Sequence, residues 1–392
     1  MVMGSEVEGA RESGLSSGPA RTGQKSGRTI HRSSRSLVLG TTAALLILLG
    51  VVMVLSAASV QDLRVHGDAW HHVRRQVIWI VLGTTGLLAM LRVDYRRLRR
   101  AASPVLIVTL ILLVLVFVPG VGIEANGSSR WIGIGALTLQ PSEMAKLAMI
   151  LYGAMLLSSG DRDIGDFQRT QLPMMVVLGL VGGLVYAEPD MGTAAVLVAI
   201  GASLLFFAGL RMILVVGGGA LALGVLAALS MTAGYRRDRL LSLFDPWNDP
   251  LVTGWQAIQA GVAMSNGGMW GMGLGASRAK WGFLPYAQTD FIFAIVAEEL
   301  GFVVSVLVVL AFLAIGLVGL RTAFRAPDQF GQLLAAGITT WIVLQAYVNI
   351  GAVLGLLPIT GIPLPFLSYG GSSMVFTMTA YGVLLNIARQ TL

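Results

Sequence analysis

Long apolar runs recur along the chain from Ser36 to the C-terminus, parted by shorter polar segments. They approach the roughly 20 residues that a helix needs to cross a bilayer. The runs are continuous rather than alternating, which excludes a β-barrel. The pattern predicts ten spans, at 36–57, 76–92, 103–119, 141–158, 172–187, 190–208, 211–232, 289–320, 331–354 and 367–388. The expected fold is an all-α polytopic membrane protein with about ten transmembrane helices.

The polar segments set the organisation. Residues 1–35 are rich in Ser, Gly and Arg and read as a disordered basic cytoplasmic tail. The apolar run that follows exceeds the roughly 7–15 residues of a signal-peptide core, so no signal peptide is expected. Lys and Arg gather in alternate connections, notably "RVDYRRLRR". That bias places both termini in the cytoplasm. Residues 233–288 then form a large extracytoplasmic loop between the seventh and eighth spans. It holds "RLLSLFDPWNDP" and "GWQAIQAGVAMSNGGMWGMGLG". Such aromatic, semi-apolar content predicts short re-entrant or amphipathic helices on the membrane surface.

Composition sharpens this picture. Of 392 residues, 55% are hydrophobic and 12% charged, against about 25% charged in a soluble domain. The net charge of +7 does not call for nucleic acid, because basic loops of this kind face anionic lipid headgroups. The absence of cysteine excludes disulfides and thiolate chemistry. Of the four histidines, His66, His71 and His72 share one loop. They are able to bind a metal, but with no acidic cluster beside them they read as ordinary loop residues, as does His31.

Carboxylates at membrane depth carry the chemistry. The stretch "FLPYAQTDFIFAIVAEELGF" places Asp290 at the mouth of a span and Glu298 and Glu299 two turns further in. Thr289 or Asp290 can cap the helix that begins there, and a catalytic carboxylate is the other reading. Glu298 and Glu299 cap nothing; they are either hydrogen-bonded structural groups or walls of an acidic cavity. In "SSRWIGIGALTLQPSEMAK", Glu143 and Lys146 are three apart and able to pair. Glu188 and Asp190 flank Pro189 at another outer turn. "LPITGIPLPFLSYGGSS" is irregular backbone, tolerated only inside protein or beside a wet cavity. Arg130, Arg236, Arg237, Arg239, Arg278 and Lys280 belong to the same side. Carboxylates and cations at a lipid boundary suit an amphiphilic, phosphate-bearing substrate: cations hold a pyrophosphate and a carboxylate takes a hydroxyl proton.

In order along the chain, "RWIGIGALTLQPSEMAKLA", "EPDMGTA", "DPWNDPLVTGWQAIQA", "GLGASRAKWGFLPYAQTDFIFAIVAEELG" and "LPFLSYGGSS" resemble the signatures of the SEDS family (shape, elongation, division and sporulation), the bacterial peptidoglycan glycosyltransferases. The likeness covers about residues 36–390. The wording "KWGFLPYAQTDFIFAI" is closer to the division and sporulation branches than to the elongation branch. The resemblance implies polymerisation of lipid II into glycan strands at the outer face of the bacterial cytoplasmic membrane, at the division septum. It implies lipid II and the growing lipid-linked strand as substrates. A class B penicillin-binding protein transpeptidase and other divisome proteins are the implied partners.

By the same resemblance, Asp290 matches the family's essential aspartate and activates the acceptor hydroxyl. Glu143, Lys146, Arg130, Trp131, Glu298, Ser372 and Ser373 line its cavity. Arg278 and Lys280 are candidates for the pyrophosphate, with solvated loop charges as the equal alternative. Gln288 stands where the family usually has His, which leaves open whether that position moves protons or only hydrogen-bonds. A divalent cation, Mg or Mn, at the pyrophosphate is an option for which the sequence shows no self-standing motif. The alternatives are a lipid II flippase, an elongation-type polymerase and a scaffold that recruits division proteins through the tail.

Overall fold

A computed structural model describes residues 34–125, 128–134, 137–160, 164–232 and 234–391. The tail expected over 1–35 lies almost wholly outside the described residues. Each of the ten predicted spans is a helix: α1 (Ser34–His66), α2 (His71–Arg92), α3 (Leu98–Leu115), α4 (Pro141–Leu157), α5 (Leu172–Ala187), α6 (Met191–Phe207), α7 (Met212–Met231), α10 (Ile292–Phe324), α11 (Gln329–Val353) and α12 (Gly371–Gln390). Between α7 and α10 lie two shorter helices, α8 (Gly234–Leu241) and α9 (Trp255–Gly267). By length and composition, seven of the described helices are able to cross a membrane; α6, at 17 residues, is apolar but shorter.

The all-α expectation needs one addition. Residues 122–139 form a three-stranded antiparallel sheet, β1 (Gly122–Ala125), β2 (Ser128–Ile134) and β3 (Leu137–Leu139), in the order β1-β2-β3. It covers the connection from α3 to α4. Such strands satisfy their backbone groups between themselves where no helix continues.

Local chemistry explains several helix ends. Pro141 opens α4 at a position where its missing N–H costs nothing. Asp190 caps α6 by accepting from the Thr193 N–H at 3.0 Å. Asp328 caps α11 through the Gly331 N–H at 2.7 Å, and accepts from Tyr95 Oη at 2.6 Å and Arg96 Nε at 2.8 Å. This ties α11 to the α2–α3 connection.

Burial ranks the helices. α11 and α12 are buried along most of their length, whereas Ser230 is the one buried residue of α7. α12 packs on α2 and α1. Its Asn386 donates to the carbonyls of Met90 and Val93, both at 2.7 Å, and Tyr381 Oη donates to Leu39 O at 2.8 Å. Helices facing lipid keep apolar side chains outward, so the polar residues converge on the interior.

α10 is broken where the chain that follows α9 meets it. Gly301 has φ +78°, and a Cβ there would lie 2.3 Å from Gly271 N. Around the break, Met272 and Gly273 donate to the carbonyls of Glu298 and Glu299 at 2.9 and 3.0 Å. Phe302 N donates back to Gly268 O at 2.9 Å. The chain after α9 therefore pairs strand-like with the helix. Only glycine permits so close an approach at positive φ.

Candidate active site

Asp290 stands two residues before α10 begins. The helix starts at Ile292, not at 289, with Phe291 at its N-cap and no side-chain cap. The capping reading of Thr289 and Asp290 is therefore corrected: Thr289 Oγ1 donates to Tyr286 O instead. The approach turns at Tyr286, φ +58°, and presents the Asp290 side chain half-buried.

Three successive carbonyls hold this approach in place. Tyr369 N donates to Gln288 O at 2.9 Å. The Ser368 hydroxyl donates to Thr289 O. Asn349 Nδ2 donates to Asp290 O at 2.8 Å and to Ile362 O at 2.9 Å. One helical turn earlier on α11, Gln345 Nε2 donates to Pro363 O at 2.8 Å. The irregular 357–370 segment thus owes its shape to side chains, as non-helical backbone in a membrane protein requires.

Two cations and a second carboxylate face Asp290. A Cβ placed at Gly361 would lie 3.6 Å from Asp290 Oδ2 and 3.8 Å from Arg239 Nη1, so both groups border the same small space. Burial raises the Asp290 pKa; Arg239 and then Arg130 pull it down, Asp190 pushes it up, and the balance is about 6. Arg130, on β2, is aimed by the α5–α6 turn: its guanidinium donates to Glu188 O at 2.9 Å and to Pro189 O. Asp190 also receives Gln140 Nε2 and Ser142 Oγ, each at 3.4 Å. Glu188 is fully buried, and its two carboxyl oxygens have no partner among the described residues. Burial first and Asp190 second push its pKa to about 9, with Arg130 opposing. It is a neutral acid at physiological pH.

Arg239 also lines a cavity of about 350 Å³ between the α8–α9 region and the end of α11. Its other walls include Trp247, Ile258, Val262, Leu354 and Ile359. A mostly apolar cavity with a guanidinium at its edge fits a lipid carrying an anionic head.

The other expected site residues divide. Glu143 and Lys146 pair at 2.8 Å, both wholly buried. Lys146 also donates to Gln345 Oε1 at 2.8 Å and sits 5.0 Å from the Trp341 ring centre. Through Gln345 the pair supports the 363 carbonyl, one step behind Asp290. Ser372 Oγ accepts from Gln140 N at 3.2 Å and joins α12 to the entry of α4. Ser373 is buried one residue further on, and Trp131 is partly buried on β2, opposite Ile123.

Glu298 and Lys280 are corrected as site residues, while Gln288 and Arg278 fall within the alternatives left open for them. Glu298 does not face Asp290: it accepts from the backbone N–H groups of Arg278 and Ala279 at 3.1 and 3.3 Å and from the Ser277 hydroxyl. Glu299 accepts from Ser277 N at 3.1 Å and from Ser56 Oγ at 2.6 Å. Lys280 is spent on that same structural cluster, reaching Glu299 at 3.3 Å, Gly275 O at 2.6 Å and Ser56 Oγ at 3.1 Å. Gln288 turns to Gln61 of α1 at 3.3 Å, which fits hydrogen bonding. Arg278 is exposed; its backbone N–H is the part that Glu298 holds. The histidines do have an acid beside them: buried Asp62 accepts from His72 N at 2.9 Å and contacts the His72 ring, with His66 at 3.7 Å.

The sequence grouped Arg239 with the other cations but did not single it out as a site residue, and it did not mark Asn349. Nothing local marks an asparagine in an apolar helix as a partner of residue 290. Among the described residues no group of three His, Asp or Glu is arranged to hold a metal ion.

Fold and site together define a polytopic helical membrane protein with an acid–cation site beside an amphipathic cavity at one end of its bundle. The chain belongs to the FtsW/RodA/SpoVE family, whose model, described as cell cycle protein, matches residues 36–392. It is 43% identical over 352 residues to a probable peptidoglycan glycosyltransferase FtsW of Geobacter metallireducens, covering 90% of this chain and 94% of that one. It is 41% identical over 361 residues to stage V sporulation protein E of Bacillus subtilis, covering 92% and 99%. Its fold matches a chain from a peptidoglycan synthase complex that coordinates polymerization and crosslinking. The TM-score is 0.74 at 31% identity, over 90% of this chain and 97% of the other.

Proposed function

We propose that this chain is a peptidoglycan glycosyltransferase that polymerises lipid II at the outer face of the cytoplasmic membrane during cell division. The observation that carries the reading is the half-buried Asp290 carboxyl facing Arg239 and Arg130 beside an amphipathic cavity. With a pKa of about 6, Asp290 is mostly ionised at neutral pH and still basic enough to take a proton, the poise a general base needs. It accepts the proton of the acceptor sugar's 4-hydroxyl as that oxygen attacks the anomeric carbon of the donor. The bond from that carbon to the pyrophosphate oxygen breaks, and the lipid pyrophosphate leaves as an anion. Arg239 and Arg130 stabilise the charge that develops there, and the cavity that Arg239 borders takes the first part of the lipid chain.

The name of the structural neighbour, a synthase complex that crosslinks as well as polymerises, supports a transpeptidase partner for this chain. The basic α2–α3 connection supports an orientation with both termini in the cytoplasm. The test is polymerisation of labelled lipid II by the purified protein, with and without its cognate transpeptidase. Wild type and folded Asp290→Asn run side by side. Strands from wild type alone are expected. Equal strands from both would remove Asp290 from the chemistry, and movement of lipid II across liposomes without strands would make the chain a flippase.

A further inference from the structure

The amide of Asn349 is committed in an unusual way. It lies on α11 and is 3% exposed. Its Nδ2 serves two carbonyls from distant parts of the chain, Asp290 and Ile362, at 2.8 and 2.9 Å. Both donors of the NH₂ group are thereby used. The amide cannot be turned over, because its oxygen would then face two carbonyl oxygens. Its Oδ1 is buried with no partner among the described residues. A buried acceptor left without a donor is destabilising, so the residue is not optimised for stability alone.

We propose that Asn349 is the positioning residue for Asp290: by clamping the Asp290 carbonyl to that of Ile362, it fixes where the carboxyl stands relative to Arg239. This rests on the proposed role of Asp290 as the base. The geometry behind it is specific. Asp290 lies outside the helix, so no α10 hydrogen bond places it. Its own carbonyl is the handle nearest the side chain, and Ile362 is the neighbour of Gly361, whose Cβ position borders both Asp290 Oδ2 and Arg239 Nη1. One amide therefore joins the Asp290 backbone to the segment that borders both the carboxyl and the guanidinium. A displacement of about 1 Å at such a group is enough to cost on the order of a hundredfold in rate.

The fold supplies its own control. Asn386 on α12 makes the same kind of double clamp, to Met90 and Val93, far from Asp290 in the chain and on the α2 connection. The experiment measures lipid II polymerisation by full-length Asn349→Ala, Asn386→Ala and Asp290→Asn, each with a melting temperature and a pH–rate profile. Asn349→Ala is expected to lose at least tenfold in kcat with KM within threefold, and to move the acidic limb of the profile. Asn386→Ala is expected to melt lower while keeping the position of that limb. If Asn349→Ala is not recovered folded, Asn349→Ser, which keeps a short hydroxyl donor, is read in the same way. A folded Asn349 variant with wild-type kcat and an unmoved limb overturns the proposal, as does a loss that Asn386→Ala reproduces in full. An active Asp290→Asn overturns instead the reading on which it rests, so the two failures are distinguishable.

Discussion

Asp290 and Arg239 meet across Gly361: a Cβ at that glycine would touch the carboxylate of one at 3.6 Å and the guanidinium of the other at 3.8 Å. The two are far apart in sequence and belong to different elements. The space they share lies between the approach to α10 and α8, and so links the proposed base to the cavity proposed for the lipid.

This pairing has a pH signature. Asp290 acts as a base only when ionised, so polymerisation is expected to fall as pH drops through about 6. Arg239 favours the ionised form; Arg239→Ala should move that acidic limb upward by as much as about one pH unit. The same raised pKa opposes stability. The folded state prefers the protonated form, so its contribution is fully present below the ordinary carboxylate range and is lost as pH rises through about 6. Asp290→Asn should therefore be inactive yet melt no lower than wild type at pH 7.5, and an equal or higher melting temperature is the measurement that checks it.

Glu188 gives the opposite end of the profile. Its folded pKa of about 9 means that its contribution to stability is fully present below the ordinary carboxylate range and is lost progressively as pH rises toward 9. Glu188→Gln keeps the neutral shape and leaves the backbone carbonyl that holds Arg130. The variant should lack the fall in melting temperature that wild type shows between about pH 5 and about pH 9, above which the two should run parallel. Parallel decline of both proteins across that range would exclude Glu188 as the titrating group.

The buried pair Glu143–Lys146 should respond asymmetrically. Removing one partner strands a charge in the bundle, which costs about 3–5 kcal/mol. Lys146→Met is expected to be severely destabilised, and Glu143→Gln with Lys146→Met to recover part of that loss. The comparison is made by thermal melts of the single and double variants in detergent.

The loop cluster predicts a local effect. Glu298→Ala removes the acceptor of two backbone N–H groups and a hydroxyl, and should raise proteolysis and hydrogen exchange within 268–285 before the bundle melts. Gly301→Ala should be more severe, because the left-handed backbone and the Gly271 N atom 2.3 Å away both refuse a Cβ. Normal yield and activity of that variant would show that the break in α10 is dispensable.

Much of this was legible along the chain. All ten spans were visible as apolar runs, because hydropathy is a property of each segment alone. The sheet over 122–139 was not, since its strands are short and interrupted by glycines and its pairing is decided between segments. The start of α10 was set too early by three residues, because Thr and Asp before an apolar run look like a cap whether or not they serve as one.

The sequence by itself determined a membrane-spanning helical chain and marked Asp290 as the carboxylate to watch. Tertiary structure alone decided which acid meets which partner. Glu298 and Lys280 went to the architecture of the loop, while Arg239, Arg130 and Asn349 went to Asp290. The reason is physical: a charge at membrane depth must find its partner, and that partner is chosen by which helices pack together, not by spacing along the chain.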